Sequence, residues 1–191
     1  MIETILATID SSPGNKSVFD TAVSLAKAMK AKLILLHVLS ATDPGYPILP
    51  TYVYYSVLKD SEDDLFHQKF REYATREAQF LYCLTQKAIA TGVNAEYIQL
   101  SGVPGWEICQ AASACAADLI LIGSRKLKGI KEMFLGSVSN YVSHHAPCSV
   151  LIVRSDSNLV CDPIELSSEE KTEVDNKHKL FNQNQQVNNI F

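Results

Sequence analysis

No apolar run in these 191 residues approaches the ~20 positions that a membrane-crossing helix needs, which leaves no candidate transmembrane helix. The opening MIETILATID has no basic flank and no small-residue cleavage site, so it does not read as a secretory signal. A cytoplasmic protein is the expectation. Cysteine is sparse and odd in number: Cys83, Cys109, Cys115, Cys148 and Cys161 form no C-x-x-C and no finger spacing with a histidine. That excludes a disulfide framework and a zinc finger, and leaves small buried hydrophobes in a reducing compartment. Internal repeats are absent. So are the Gly-x-Ser-x-Gly elbow, the Walker loop and the Ser-Gly-Gly-x-Asp-Ser loop of ATP pyrophosphatases. A receiver domain needs an acidic pair after its first strand, and only Asp10 stands there.

Charge is also scarce where a nucleic-acid protein would need it. The net charge is −4, and residues 155–191 account for all of it, with seven acids against three lysines. Residues 1–154 carry 14 acids and 14 Lys plus Arg. An extended basic face is excluded, and with it a nucleic-acid partner. Four of those 14 cations (Arg125, Lys126, Lys128 and Lys131) fall within seven residues. A balanced body with one local basic loop suits a small anion.

Hydrophobic residues make up 47 % of the chain, ample for a core, and their pattern alternates in kind. Thr4 to Ile9 is a near-continuous apolar run of strand length, as in a parallel sheet covered on both faces. Residues 16–31 follow helical spacing through Val18, Ala22, Leu25, Ala26 and Met29. Leu33 to Val38 reads as a second buried strand, and His37 inside it as a satisfied core histidine. A helix is expected over 61–90, its start marked by a Ser61/Asp64 capping box and its end by Gly92. Its stripe of Phe66, Phe70, Tyr73, Phe80, Leu84 and Ala88 is interrupted by Glu77. Ala95 to Leu100, more alternating, reads as a strand near a sheet edge. Residues 106–116 read as a short helix, and 119–122 and 148–153 as two further strands. Strand–helix alternation of this kind means an open five-stranded parallel sheet with helices on both faces. Ligands of such sheets bind beyond the carboxyl ends of the strands, where the strand order reverses.

Two segments stand outside this alternation. Residues 39–59 hold three prolines and, within ten positions, Tyr46, Tyr52, Tyr54 and Tyr55. Packing against the body or a partner subunit is expected of them. Residues 155–191 turn acidic and then Asn- and Gln-rich, and read as a disordered tail.

The stretch from Asp118 to Arg154 carries the chemistry. A buried strand, Leu119 to Ile122, breaks into Gly123-Ser124. The cationic loop follows, with Gly129 inside it, and Gly136-Ser137 opens an amphipathic helix with Val138, Tyr141, Val142 and His145 on one face. His144 and His145 at its end complement the helix dipole, and Ala146-Pro147 stops it. Free amides and the positive end of a helix dipole make such a place fit for an anion. Glycines after a strand also serve as plain turn residues, and spacing alone leaves both readings open.

The spacing resembles the nucleotide loop of the universal stress protein family: Gly, two residues, Gly, nine residues, Gly, then Ser or Thr. Here it runs Gly123, Lys126, Gly136-Ser137, with lysine in place of the second glycine. Ser-His-His-Ala-Pro-Cys-Ser-Val-Leu-Ile-Val-Arg also resembles that family's ending, and the resemblance covers residues 1–154. It implies the Rossmann-like, adenine nucleotide alpha hydrolase-like fold, and ATP (with Mg2+ as companion) or another adenine nucleotide as ligand. It implies that Asp10 contacts the nucleoside, that backbone groups of Val38 hold the adenine, and that Thr8 and Ile122 line its pocket. Gly123, Gly129, Gly136 and Ser137 would surround ribose and phosphates, with Arg125, Lys126 and Val138 beside them. Lysine 126 loses glycine's backbone freedom but adds a cation within reach of a phosphate, so a retuned site and a weakened one both follow. A homodimer through Ser149 to Val153 is implied as well, and an exposed apolar edge strand favours pairing on its own account. The function expected is regulatory, exerted through nucleotide state and partners, with at most weak ATP hydrolysis. The alternative is a nucleotide-independent dimeric interaction module of the same fold.

Overall fold

The computed structural model describes residues 1–10, 15–43, 45–47, 60–124 and 136–154. Nine elements alternate along them: β1 (Thr4–Thr8), α1 (Asn15–Met29), β2 (Lys32–Leu39), α2 (Asp60–Ala90), β3 (Ala95–Ser101), α3 (Pro104–Ala114), β4 (Leu119–Ser124), α4 (Ser137–His145) and β5 (Ser149–Arg154). The strands form one sheet in the order β3-β2-β1-β4-β5, and every neighbouring pair is parallel. This is the open, doubly covered α/β sheet that the alternation implies.

Apolar runs become central strands because both faces of the sheet are covered. Ile5, Ala7, Leu33, Leu35, Leu119 and Leu121 face α1 and α2, where Val18, Ala22, Ala26, Leu81, Leu84 and Ala88 meet them. The alternate residues, Leu6, Ile34, Leu36, Ile120 and Ile122, face α3 and α4 and pack on Ile108, Ala112 and Val142. Each fully buried Leu or Ile contributes roughly 1.5–3 kcal/mol relative to an exposed one. β3 and β5 are the sheet edges; the alternating pattern of Ala95 to Leu100 suits an edge, whereas Val150 to Val153 is as apolar as a central strand. β5 keeps one face open, and Leu151 is 38 % exposed.

Four boundaries have local causes. α3 begins at Pro104, two residues before the sequence suggests, because proline in the first turn surrenders only an amide that has no partner there. Gly92 closes α2 with φ 86°, a conformation glycine enters without strain. Two other helix ends use ordinary residues for the same turn: Lys30 (φ 55°) after α1 and Ala116 (φ 49°) after α3.

On α4 the buried positions are Ser139 and Val142, not the whole stripe of Val138, Tyr141, Val142 and His145. Tyr141 and His145 lie on the exposed side, their rings stacked with centroids 4.1 Å apart. Tyr141 instead covers Gly105 of α3, which lets the two helices approach. From the tyrosine-rich segment, Tyr46 packs edge-on against Phe70 and Tyr73 of α2. Residues 48–59, the side chains of the Ser61/Asp64 capping box and residues 155–191 lie outside the described residues.

Candidate functional site

The strand order reverses between β1 and β4, since the chain moves from β1 towards β2 and β3 and then returns to the other side of β1. Pairing of β1 with β4 runs from Ile5↔Leu119 to Ala7↔Leu121. Pairing with β2 persists to Thr8↔Leu36, and Ile9 N–H still donates to the Leu36 carbonyl at 2.7 Å. Thr8 Oγ1 bridges to the Leu121 carbonyl at 3.2 Å. Beyond that bridge the two central strands part, and a cleft of about 230 Å³ opens at their carboxyl ends.

Eight of the eleven sequence-derived candidates line this cleft: Thr8, Asp10, Val38, Ile122, Gly123, Gly136, Ser137 and Val138. They are separated by up to 130 positions in the chain, and only the switch point brings them together. Arg125, Lys126 and Gly129 lie outside the described residues. Val18 of α1 packs close to Gly123, and a β-carbon there would stand 3.3 Å from Val18 Cγ2, so a side chain would crowd the mouth of the cleft. Gly136 caps α4 without offering a side-chain acceptor. The first amides of a helix have no intrahelical partner, so those at Ser137 and beyond are available to an anion in the cleft. Asp10 accepts a 2.6 Å hydrogen bond from Asn15 Nδ2, which fixes one carboxylate oxygen against the start of α1.

Pro104 and Ile108 of α3 and Asn15 and Val18 of α1 complete the walls. No motif marks them: Pro104, Ile108 and Val18 contribute apolar shape, and Asn15 contributes its hydrogen bond to Asp10. A second group was missed for a different reason. His37, Thr42 and Asp43 also line the cleft, and behind them Tyr73, Glu77 and Gln99 are buried. The reading of His37 as a satisfied core histidine is therefore corrected. Its ring lies between two carboxylates, Nε2 3.7 Å from Asp43 and Nδ1 3.9 Å from Glu77. Both distances exceed a hydrogen bond, and Nε2 has no hydrogen-bond partner among the described residues. A signal was present: Glu77 breaks the apolar stripe of α2, and His37 breaks that of β2. Each looked like an isolated exception, and the two face each other across the fold.

Among the described residues no group of three or more His, Cys, Asp or Glu is placed to hold a metal ion. No helix there is long and apolar enough to cross a membrane. The described cysteines are free thiols, and burial pushes Cys109, Cys115 and Cys148 above the ordinary thiol range.

Fold and site together define an open parallel α/β protein with a ligand-sized cleft at its switch point. The chain belongs to the universal stress protein family, whose model matches residues 1–154. It is 37 % identical to Universal stress protein YxiE of Bacillus subtilis over 155 residues, 81 % of this chain and 100 % of that one. Universal stress protein Sll1388 of Synechocystis is 33 % identical over 150 residues, 78 % of this chain and 96 % of the relative. The fold matches Universal stress protein UspA from Lactobacillus plantarum with a TM-score of 0.63 at 22 % identity, covering 80 % of this chain and 98 % of that one. Structures of the same fold at lower similarity include an Arabidopsis thaliana family member with AMP bound (TM-score 0.56, 18 % identity, 82 % and 94 % covered). A universal stress protein in complex with cAMP is another (TM-score 0.52, 22 % identity, 81 % and 98 % covered).

Proposed function

We propose that residues 1–154 bind an adenine nucleotide, ATP in the first instance, in the switch-point cleft, and that the protein acts through nucleotide state rather than turnover. The observation that carries this reading is the meeting, in one cleft, of the glycine-bearing end of β4, the open amides of α4, Asp10 and the end of β2. The parts suit a nucleotide. Apolar walls from Val38, Ile108 and Ile122 accept a base, Asp10 a ribose hydroxyl, and the α4 amides a phosphate. In the cationic loop, Arg125, Lys126 and Gly129 would complete the phosphate end, and Mg2+ would come with the nucleotide's own phosphates. The AMP and cAMP complexes of the two structural neighbours are consistent with an adenine ligand. A cytoplasmic regulatory protein with residues 155–191 as a separate acidic tail completes the reading.

Calorimetric titration with ATP and magnesium tests it. Saturable binding, with a rise in melting temperature that grows with nucleotide concentration, is the expected result. No heat and no shift at millimolar ATP would remove the reading. Alanine at Lys126 should lower ATP affinity where the lysine meets a phosphate. Unchanged or higher affinity would make it a bystander or an obstacle.

A second reading, a nucleotide-independent dimeric module, draws on the lysine that replaces the family glycine. Both readings share a homodimer through Ser149 to Val153. The open face of β5 supports it, because an exposed apolar edge strand seeks a partner. Light scattering on Leu151→Glu should report a monomer where the wild type is dimeric.

A further inference from the structure

The polar group behind the cleft costs stability where it stands. His37 and Glu77 are each 3 % exposed and Gln99 8 %, and burying such groups with incomplete hydrogen bonding is unfavourable. Its best-satisfied member is Asp43. The Ser40 amide donates to Asp43 Oδ2 at 3.0 Å and the Tyr73 hydroxyl at 2.8 Å. His37 Nε2 approaches the same oxygen at 3.7 Å. The Asp43 amide returns a 3.0 Å bond to the Ser40 carbonyl, so the turn is held at both ends. All three contacts to the carboxylate fall on Oδ2. Oδ1 takes part in none of these contacts, so it is the oxygen left for a ligand in the cleft that Asp43 lines.

The charge state suits an acceptor. Burial alone would raise the Asp43 pKa, but the His37 ring, the Ser40 amide and the Tyr73 hydroxyl outweigh it and hold it below the ordinary carboxylate value. Burial and the same carboxylate push Tyr73 well above the ordinary phenol range, so its hydroxyl stays a donor. The result is an ionised, pre-positioned acceptor beside the end of β2, held by the Ser40 amide and the Tyr73 hydroxyl, neither of which lines the cleft.

We propose that Asp43 reads the base: its second carboxylate oxygen accepts a hydrogen bond from the exocyclic amino group of a 6-aminopurine seated against Val38, and so rejects 6-oxopurines. Tyr73, Ser40 and His37 are its positioning residues. The proposal rests on the reading of the cleft as a nucleotide site, and it adds a side chain that selects the base. A 6-oxopurine would turn a carbonyl oxygen towards the carboxylate, two acceptors face to face. A site built around a hydrogen bond to the ligand rejects an analogue unable to make it far more strongly than shape alone does.

The test compares ATP with ITP, which differ at that position, on the full chain. Wild type should bind ATP at least about tenfold more tightly, the scale of one hydrogen bond to a charged group. Asp43→Asn, whose amide can donate to the 6-oxo group, should shrink or reverse that ratio. Tyr73→Phe removes one support and keeps the carboxylate. It should shrink the ratio while circular dichroism and melting show a folded protein, which keeps the test decisive should Asp43→Asn not fold. Equal binding of ATP and ITP by the wild type overturns the proposal. So does an undiminished preference in either folded variant, and both outcomes leave the nucleotide cleft standing. Failure of the wild type to bind either nucleotide overturns the cleft reading together with the proposal.

Discussion

Gly105→Ala offers a direct test of how α3 and α4 hold the cleft. A β-carbon on Gly105 would lie 2.7 Å from Tyr141 Cδ1, 2.9 Å from Cγ and 3.0 Å from Cβ. These atoms include the root of the side chain, so a rotation at its far end does not relieve the clash. α4 or the start of α3 must move, and overpacking of this kind costs about 1–3 kcal/mol. Alanine in place of glycine returns at most ~1 kcal/mol of helix propensity, less in the first turn. The net loss should be about 1–2 kcal/mol, or roughly 2–8 °C in melting temperature for a domain of this size. Thermal and urea unfolding of Gly105→Ala, Tyr141→Ala and the double variant would measure it as a cycle. In the Tyr141→Ala background the alanine has room, and its cost should vanish or change sign. An equal cost in both backgrounds, or no cost in the wild type, would refute the contact as the cause. Nucleotide binding should weaken along with stability, because α4 carries Ser137, Val138 and Ser139 into the cleft.

Other perturbations separate the remaining forces. Ala116→Gly should stabilise by about 0.5–1 kcal/mol in urea unfolding, since alanine at φ 49° carries a steric penalty of roughly 1–2 kcal/mol that glycine's unfolded-state entropy only partly offsets. Leu121→Ala, at a fully buried position in β4, should cost about 2–5 kcal/mol with little change in ligand chemistry. Acid should destabilise the fold through Asp43 and Asp118, whose carboxyls are held below their ordinary value of 3.8. For Asp118 the cause is the pair of bonds from the Glu3 and Thr4 amides at 2.7 and 2.9 Å. A depressed folded pKa means stability that is complete above the ordinary value and is lost as pH falls through the depressed one. Melting temperature should therefore decline below about pH 4, and Asp118→Asn should flatten part of that decline. An unchanged profile would refute the role of those two amide bonds.

Much of the fold is legible because its signals are local. Thr4 to Ile9 and Leu119 to Ile122 are apolar at nearly every position over a strand's length, as strands covered on both faces are. Gly123 and Gly136 mark two corners of the cleft, although β4 does not break at Gly123 as its sequence suggests but runs on through Ser124, and only Gly136 stands at a bare helix start. The start of α3 is less legible, because Pro104 and Gly105 read as turn residues although proline is equally at home in a first turn. Tyr141 and His145 keep helical spacing with Val142, yet lie outside the core, because spacing gives the face of a helix and not the angle at which the helix docks.

The sequence by itself determined the alternation of strands and helices, the balanced charge with one cationic loop, and the membership of the family. These rest on periodicity, composition and motif spacing, which need no third dimension. Only the tertiary structure decided that β1 lies between β2 and β4, and so that Asp10, Val38, Gly123 and Gly136 share a cleft. The meeting of His37 from β2, Asp43 from its following turn and Glu77 from α2 was likewise decided there. A buried polar residue looks like an error in its own element until the partner from another element is known, because the interaction that justifies it is made across the fold and leaves no period in the chain.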